Sequence, residues 1–289
     1  MYHLSSVTLK KYREKTFRSR QDNRLHTLEE AIEFVNQRGF IFFWPIQQVI
    51  FPSLWTAVAG DRPVANQHDD PGHITWGWKD QLLGKKVWYY AKILYRRNTL
   101  ISLNLLPYFF ALSPNFGDPY QDYMDQYHNG SLTLEAKQVY EALLREGPMD
   151  TISLRKAARL SSSESTSRFT RALDTLQMEF KVLPVGVART GAWHYAFVYD
   201  LVHRHYPELI DQTRSISENQ ARYKILLTYF ESVGAANLME MQRIFPWQKE
   251  DLQRTLQALA HVNMIQTEVE LENPKQSVFA LSSILFNDV

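Results

Sequence analysis

The chain has 289 residues, of which 45% are hydrophobic and 13% aromatic, so it can build two or three packed domains and is not a disordered chain. It contains no cysteine, which excludes disulfides, thiolate zinc sites and cysteine nucleophiles. The formal net charge of +1 does not by itself indicate a nucleic-acid partner. Because neither a signal peptide nor a run of about 18 apolar residues is evident, we expect a cytoplasmic protein with no membrane contact.

Residues 1–24 are predicted to form a basic N-terminal arm. They contain seven basic and two acidic side chains, which gives this short segment a net charge of +5. Such a concentration of cations is typical of an arm that grips DNA phosphates, and it is also typical of a solvated tail. The sequence leaves both interpretations open.

Residues 25–128 are predicted to form the first domain. The sequence Thr27-Leu28-Glu29-Glu30 has the spacing of a capping box and predicts a helix that ends near Gly39. The elements expected after it are a buried strand or core turn at 40–45, a short helix at 52–60, an aromatic-rich helix at 87–94, an extended segment at 99–103 and a helix near 106–112.

Titratable and aromatic side chains are concentrated in residues 68–80, between two predicted helices. This stretch has three carboxylates, two histidines, two tryptophans and a lysine, and its Pro71-Gly72 step predicts a turn. Carboxylates can activate water, histidines can transfer protons and indole faces can stack on a heterocycle, so the combination suits a nucleobase pocket. The alternative is a helix start in which an aspartate at 69 or 70 is the cap, both tryptophans pack inward, and Lys79 and Asp80 face water.

Residues 129–212 are predicted to form a central winged-helix domain. Three helices at 134–146, 152–160 and 163–178 precede two apolar strands at 181–187 and 193–199, which is the element order of a winged helix. The same order recurs about 80 residues later within residues 213–289, and it predicts a C-terminal winged helix.

The central domain carries most of the side chains that we expect to contact DNA. Phosphate contacts need cations and small hydroxyls, and the second and third helices of this domain supply both, whereas acidic residues dilute the cations of the C-terminal copy. The predicted DNA-binding residues are Lys79, Arg155, Lys156, Arg159, Ser167, Arg168, Arg171 and Arg189. The C-terminal copy is interpreted as a scaffold or a protein-contact module.

With tandem winged helices behind an aromatic first domain, the chain resembles the bacterial AlkZ (YcaQ)-like DNA glycosylases, and within them the shorter AlkZ-related branch. The resemblance covers roughly residues 25–285 and rests on residues 51–63 (FPSLWTAVAGDRP), 68–73 (HDDPGH), 76–80 (WGWKD) and 151–155 (TISLR). It implies an α+β, mainly α fold of three tandem winged-helix domains that form a concave DNA-binding surface. It also implies cleavage of the N-glycosidic bond of a modified base.

One motif of the family is not found. Its crosslink-repair members have a Q-x-Q or Q-x-D motif early in the first domain, and the comparable place after Gly39-Phe40-Ile41 reads Phe42-Phe43-Trp44. Gln47-Gln48 follows a few residues later without the same spacing. The family's catalytic residues therefore cannot be carried over to these positions.

Residues of the 68–80 stretch are the candidates for the chemistry. Departure of a base leaves an oxocarbenium-like sugar, which a nearby carboxylate can stabilise while it orients or deprotonates water. The candidate catalytic residues are Asp80 as the first choice of carboxylate, Asp69 or Asp70 as the second, and His68 as the donor to the leaving base. The residues predicted to bind the flipped base are Trp76, Trp78, His73 and Trp44, and His73 is also an alternative donor to the leaving base. The imidazoles and carboxylates of residues 68–73 are only a weak metal signature, so we expect neither a metal nor another cofactor.

The sequence therefore predicts a DNA glycosylase that acts as a monomer on double-stranded DNA with a modified base, at the bacterial nucleoid, and leaves an abasic site. Its substrate is either an alkylated or crosslinked purine, in repair, or a bulky modified pyrimidine of phage DNA, in antiviral defence. The alternative is a winged-helix transcription regulator that binds DNA without catalysis. An inert interaction scaffold, in which the winged helices only pack, is a third interpretation.

Overall fold

The structure is a computed structural model, and it describes residues 2–191, 194–273 and 275–286. It has a mixed α/β fold in which about half of the residues are helical. Within the described ranges, no helix is both long enough and apolar enough to span a bilayer.

The secondary structure elements are named here in chain order. The helices are α1 (Ser6–Thr16), α2 (Leu28–Arg38), α3 (Leu54–Ala59), α4 (Ile74–Leu82), α5 (Leu106–Phe110), α6 (Asp122–His128), α7 (Leu134–Glu146), α8 (Thr151–Ala157), α9 (Thr166–Met178), α10 (Val202–His205), α11 (Leu209–Thr213), α12 (Glu218–Val233), α13 (Leu238–Ile244), α14 (Lys249–His261) and α15 (Ser282–Phe286). The strands are β1 (Tyr2–Leu4), β2 (Phe40–Phe42), β3 (Trp88–Lys92), β4 (Asn98–Ser102), β5 (Met149–Asp150), β6 (Val182–Ala188), β7 (Ala196–Leu201), β8 (Ala235–Ala236), β9 (Ile265–Leu271) and β10 (Gln276–Leu281).

Three units of the chain repeat one element order: helix, strand, helix, helix, strand, strand. The first unit is α2-β2-α3-α4-β3-β4, the central unit is α7-β5-α8-α9-β6-β7, and the third unit is α12-β8-α13-α14-β9-β10. In each unit the last strand lies between the other two, so the sheets have the orders β2-β4-β3, β5-β7-β6 and β8-β10-β9. The element order expected for the central and third units is therefore present, and the first unit has it as well.

The first and third units share one hydrophobic core. Phe40 and Phe42 of β2 belong to the same buried cluster as Tyr229 and Phe230 of α12, and the Phe51 ring stacks on the Tyr229 ring at a centroid distance of 5.7 Å. Most of the central unit packs in a separate cluster. The three units are thus consecutive along the chain, but the first and third do not have separate hydrophobic cores.

The helix predicted at 87–94 is wrong, because Trp88–Lys92 form strand β3. The aromatic run from Trp88 to Ala91 pairs with β4 as an antiparallel strand. Alternate residues enter different clusters, since Trp88 and Tyr90 pack in the first unit's own core while Tyr89 packs in the core shared with the third unit. A strand buried on both faces lacks polar alternation, so its sequence is a continuous apolar run that can be mistaken for a buried helix.

The basic N-terminal segment is folded onto the third unit. Strand β1 extends the third unit's sheet by parallel pairing with β9, and α1 packs against α12. The Arg13 guanidinium donates at 2.9 Å to the carbonyl of Val233, the last residue of α12, and at 2.7 Å to the carbonyl of Ala235 in β8. Residues 2–16 of the predicted arm 1–24 are therefore not a solvated tail, and the contact of this segment with DNA phosphates stays a prediction.

The connection between β3 and β4 lies where the three units meet. Helix α9 of the central unit packs against β3 and against the short 3₁₀ turn Leu94–Arg96, and α13 of the third unit packs against the same turn. Lys92 Nζ forms an ion pair of 2.7 Å with Asp174 of α9, and the Lys92 backbone N–H donates to Gln177 Oε1 at 3.1 Å. These bonds fix the end of β3 to the central unit.

Candidate functional site

A capped turn positions α4, the helix that carries most of the 68–80 stretch. Asp70 Oδ1 accepts the Gly72 N–H at 2.8 Å and the Arg62 guanidinium at 2.6 Å, and the 3₁₀ turn Pro71–His73 leads directly into α4. The structure thus gives Asp70 the capping role of the helix-start alternative in place of a catalytic role. Its carboxylate is already committed to the turn.

The bonds of Asp70 predict how stability depends on pH. The Arg62 guanidinium, and after it the Gly72 N–H, lowers the pKa of Asp70 below its ordinary value. A group with a depressed folded-state pKa adds stability above its unfolded-state pKa of about 3.9, and this stability is lost as the pH falls through the folded-state pKa. We therefore expect Asp70→Asn to lower the thermal midpoint at neutral pH, and the difference from wild type to shrink as the pH falls below about 3.9, the unfolded-state pKa. Circular dichroism melts across this range measure it, and a pH-independent difference would contradict the assignment.

The two tryptophans of α4 have different environments. Trp78 is only 5% exposed and belongs to the first unit's core, so the prediction that it binds a base is wrong. Trp76 is 39% exposed, and its ring stacks on the Trp44 ring with a centroid distance of 6.0 Å and an interplanar angle of 28°. The His73 ring lies 5.8 Å from the Trp76 ring. Trp44, Trp76 and His73 therefore form an aromatic cluster, and Trp76 gives it an exposed face.

Two polar nitrogens of this aromatic cluster have no partner among the described residues. His73 Nε2 lies 3.0 Å from the Ala65 carbonyl, which can only accept, so Nε2 carries the hydrogen and Nδ1 is bare in the neutral ring. Nδ1 is buried without a partner, and so is the Nε1–H group of Trp44. A neutral His73 therefore cannot donate a proton through Nδ1.

Lys79, Asp80 and Tyr195 form a closed polar triangle beside this cluster. Lys79 Nζ lies 2.7 Å from Asp80 Oδ1 and donates to the Tyr195 hydroxyl at 2.8 Å. The Tyr195 hydroxyl in turn donates to Asp80 Oδ1 at 2.9 Å. Tyr195 comes from the central unit, 115 residues away in sequence, which explains why sequence patterns on α4 give no signal for it.

The Lys79 ammonium is buried in an aromatic cage. Its side chain is 4% exposed, and burial lowers its pKa while Asp80 acts in the opposite direction. The rings within 6 Å of Nζ are those of Phe197 (4.6 Å), Tyr195 (5.5 Å), Tyr90 (5.7 Å), Phe43 (5.8 Å) and Trp76 (5.9 Å). The prediction that Lys79 binds a DNA phosphate is therefore wrong, because its charge is enclosed by cation–π contacts and by Asp80.

Asp80 provides this triangle with a carboxylate that is partly accessible to solvent. Its side chain is 29% exposed, and it lies one helical turn after Trp76, so the two side chains share a face of α4. Burial and the bond to Asp80 raise the pKa of Tyr195, so this hydroxyl stays protonated and continues to donate to the carboxylate. The arrangement places an oriented carboxylate beside an exposed indole.

A cavity of about 480 Å³ opens beyond Trp44, between the segment 44–47 and the connection of β3 to β4. Its lining residues are Trp44, Pro45, Ile46, Gln47, Lys92, Tyr95, Arg96, Arg97 and Asn98. The sequence prediction did not include the cations of this connection: Lys92 lies in the predicted helix 87–94, and Arg96 and Arg97 lie between that helix and the extended segment predicted at 99–103. Larger cavities of about 840 Å³ and 620 Å³ are lined by α1 and by α12 with α14, respectively.

Most of the cations predicted to contact DNA are exposed. The exposed members of the set are Lys156, Arg159, Ser167, Arg168, Arg171 and Arg189, and Arg168 also forms a 3.3 Å ion pair with Glu135. Arg155 differs, because its guanidinium donates to the Leu160 and Ser162 carbonyls, each at 3.1 Å. It fixes the connection of α8 to α9, so its predicted phosphate contact is replaced by a structural role.

The remaining candidates, His68 and Asp69, lie exposed before the capped turn. Across the part of the chain that the structure describes, no cluster of histidine and carboxylate side chains has a metal-binding arrangement.

Comparison with known proteins gives one family and one similar structure. Residues 25–246 match the family described as AlkZ related. The fold is similar to that of the Streptomyces sahachiroi DNA glycosylase AlkZ, with a TM-score of 0.60 and 13% sequence identity over 97% of this chain and 71% of that chain, a likeness that concerns the fold alone. None of the curated proteins matches the sequence. Because the family match covers most of the chain and confirms the resemblance of the sequence, this protein belongs to the AlkZ-related family.

Proposed function

We propose that this protein is a DNA glycosylase, which flips a modified base out of duplex DNA and hydrolyses its N-glycosidic bond. Membership of the AlkZ-related family and the structural likeness to a DNA glycosylase support the reaction class. The observation that carries the proposal for this chain is the carboxylate of Asp80, oriented by Lys79 and Tyr195 and adjacent to the exposed indole of Trp76.

In the proposed reaction the base departs with the electrons of the glycosidic bond, and the sugar becomes oxocarbenium-like. The Asp80 carboxylate stabilises this cation and orients the water whose oxygen bonds to the anomeric carbon. The water proton passes to the carboxylate or to solvent. Trp76 and Trp44 provide the aromatic surface for the flipped base.

His68 and Asp69 have subsidiary roles in the proposal. Both are exposed just before α4, where His68 is the donor to the leaving base and Asp69 is the second candidate carboxylate. The proposed reaction needs no cofactor, since hydrolysis of an N-glycosidic bond requires only water and the protein's own groups.

The three units are proposed to be winged helices that share a concave DNA-binding surface. The matching element and sheet orders support this assignment. The exposed cations of α8, α9 and the β6–β7 hairpin, with Ser167, are then the phosphate contacts of the central unit. We expect one copy of the chain to bind one site on double-stranded DNA.

The substrate is proposed to be an alkylated or crosslinked purine, which implies repair, or a bulky modified pyrimidine of phage DNA, which implies defence. The test incubates the protein with end-labelled duplexes that carry single modified bases and then applies heat and alkali, which cleave the strand at abasic sites. We expect breaks at one class of modified base and none in unmodified DNA. Intact strands with every modification would reject the glycosylase.

A non-catalytic DNA-binding regulator is the second candidate, and one observation favours it. Crosslink-repair members of the family have glutamine or aspartate where this chain has Phe42 and Trp44, and Phe42 is 1% exposed in β2. A regulator would bind a defined duplex sequence and leave no abasic site, so the same strand-cleavage assay together with sequence-specific binding distinguishes the two.

A further inference from the structure

The cavity between Trp44 and the β3–β4 connection is lined by two arginines that have no ion-pair partner among the described residues. Its lining includes three cations and no carboxylate. Lys92 is paired with Asp174 at 2.7 Å, whereas Arg96 and Arg97 form no ion pair with the carboxylates of residues 2–191, 194–273 and 275–286. Two exposed guanidiniums without a counter-charge form a site for an anion, and their planar forks match a phosphate.

The backbone that presents these cations is held in an uncommon conformation. Tyr95 (φ 59°, ψ 21°) and Arg96 (φ 54°) are consecutive non-glycine residues in the left-handed region, which is sterically unfavourable for residues with a Cβ atom. The Arg97 N–H donates to the Leu94 carbonyl at 2.9 Å, and the Thr99 hydroxyl donates to the Arg97 carbonyl at 2.9 Å. The buried Leu94 and the packing of α9 and α13 hold the turn in place. Strain maintained at an exposed cationic tip is typical of functional sites.

Aromatic rings complete the cavity. Tyr95 is 54% exposed, and Trp44 borders the cavity while its ring stacks on Trp76. Aromatic side chains stack on nucleobases with little dependence on sequence, and arginines near them bind the phosphates of unpaired nucleotides. The volume of about 480 Å³ is within the range of pockets that hold small ligands.

We propose that this cavity binds the unpaired nucleotide next to the flipped one, with its phosphate on Arg96 and Arg97 and its base against Tyr95 and Trp44. The inference rests on the DNA binding of the proposed function, and it adds a second nucleotide subsite on the far side of Trp44 from Trp76. It also defines the substrate class, which is DNA in which at least one neighbour of the modified base is unpaired.

The test compares an Arg96→Ala/Arg97→Ala variant with wild type on two fluorescein-labelled duplexes of one sequence, fully paired or with a two-nucleotide bulge. We expect wild type to prefer the bulged duplex and the double variant to lose most of that preference. Loss of two phosphate contacts to single-stranded nucleotides should reduce the log–log salt slope on bulged DNA by about 1.4. Fluorescence anisotropy across a salt series gives both quantities.

Three further variants make the test specific. Arg145→Ala removes an exposed arginine of α7, paired with Glu146 at 2.7 Å, and should leave the preference unchanged. Arg96→Lys/Arg97→Lys should restore most of the salt slope, and Tyr95→Ala should lower the preference without changing that slope. An unaltered preference in the double alanine variant overturns the proposal. Because binding is measured without catalysis, absence of base excision would reject the glycosylase and leave this result standing.

Discussion

Replacing Asp80 by Asn is expected to lower the rate of base excision per folded molecule by about 10²–10³-fold, while DNA binding stays nearly unchanged. The melting temperature should also fall, because the buried Lys79 ammonium loses its counter-charge. The amide keeps the shape of the side chain and an oxygen that can accept from Tyr195 and Lys79. It removes the negative charge that would stabilise the developing sugar cation. Single-turnover cleavage of a duplex with the identified modified base measures the rate, and anisotropy measures binding.

Two matched variants show whether the loss of the Asp80 charge itself causes the loss of base excision. Tyr195→Phe removes one donor to the carboxylate but keeps its charge, and it should cost about tenfold, the effect of losing one hydrogen bond to a charged group. Asp69→Asn tests the second candidate carboxylate. If Asp80 only supports structure by pairing with Lys79, excision by Asp80→Asn would fall only in proportion to the folded protein. That outcome, or excision retained in all the aspartate variants, would reject the catalytic assignment.

Local signals in the sequence predicted helix starts and element order well. The capping box at Thr27 and Glu30 is present as predicted and begins α2, because both of its hydrogen bonds lie within four residues. The helix order of the central unit also follows from local periodicity. By contrast, β3 could not be recognised, because its burial on both faces depends on the third unit, which is distant in sequence.

The clustering of the candidate side chains was predictable from the sequence, but most of their contacts were not. The 68–80 stretch does bring Trp76, His73 and Asp80 together. The enclosure of Lys79 depends on Tyr195 and Phe197 of the central unit, and no spacing on α4 indicates those contacts. Similarly, the residue type of Arg155 predicts a phosphate contact, but its guanidinium donates to backbone carbonyls of the α8–α9 connection.

Replacing either tryptophan of α4 by alanine is expected to lower the free energy of unfolding, but by very different amounts. Residues two apart on a helix point in different directions, so Trp76 and Trp78 cannot both face a base. Trp78→Ala removes a side chain packed among Phe34, Trp88 and other residues of the first unit's core, and it should lower the free energy of unfolding by about 3–5 kcal/mol. Trp76→Ala should cost less than about 1.5 kcal/mol, since its ring is partly exposed and makes one stacked contact.

Urea unfolding followed by circular dichroism measures both changes, and DNA binding at a temperature where both variants are folded completes the comparison. Trp76→Ala should then weaken binding to DNA with a modified base by about 1–3 kcal/mol, the contribution of one base–aromatic stack, while folded Trp78→Ala should bind as wild type does. Equal losses of stability in the two variants would show that Trp76 is also a core residue. The aromatic surface proposed for the flipped base would then have to be Trp44 alone.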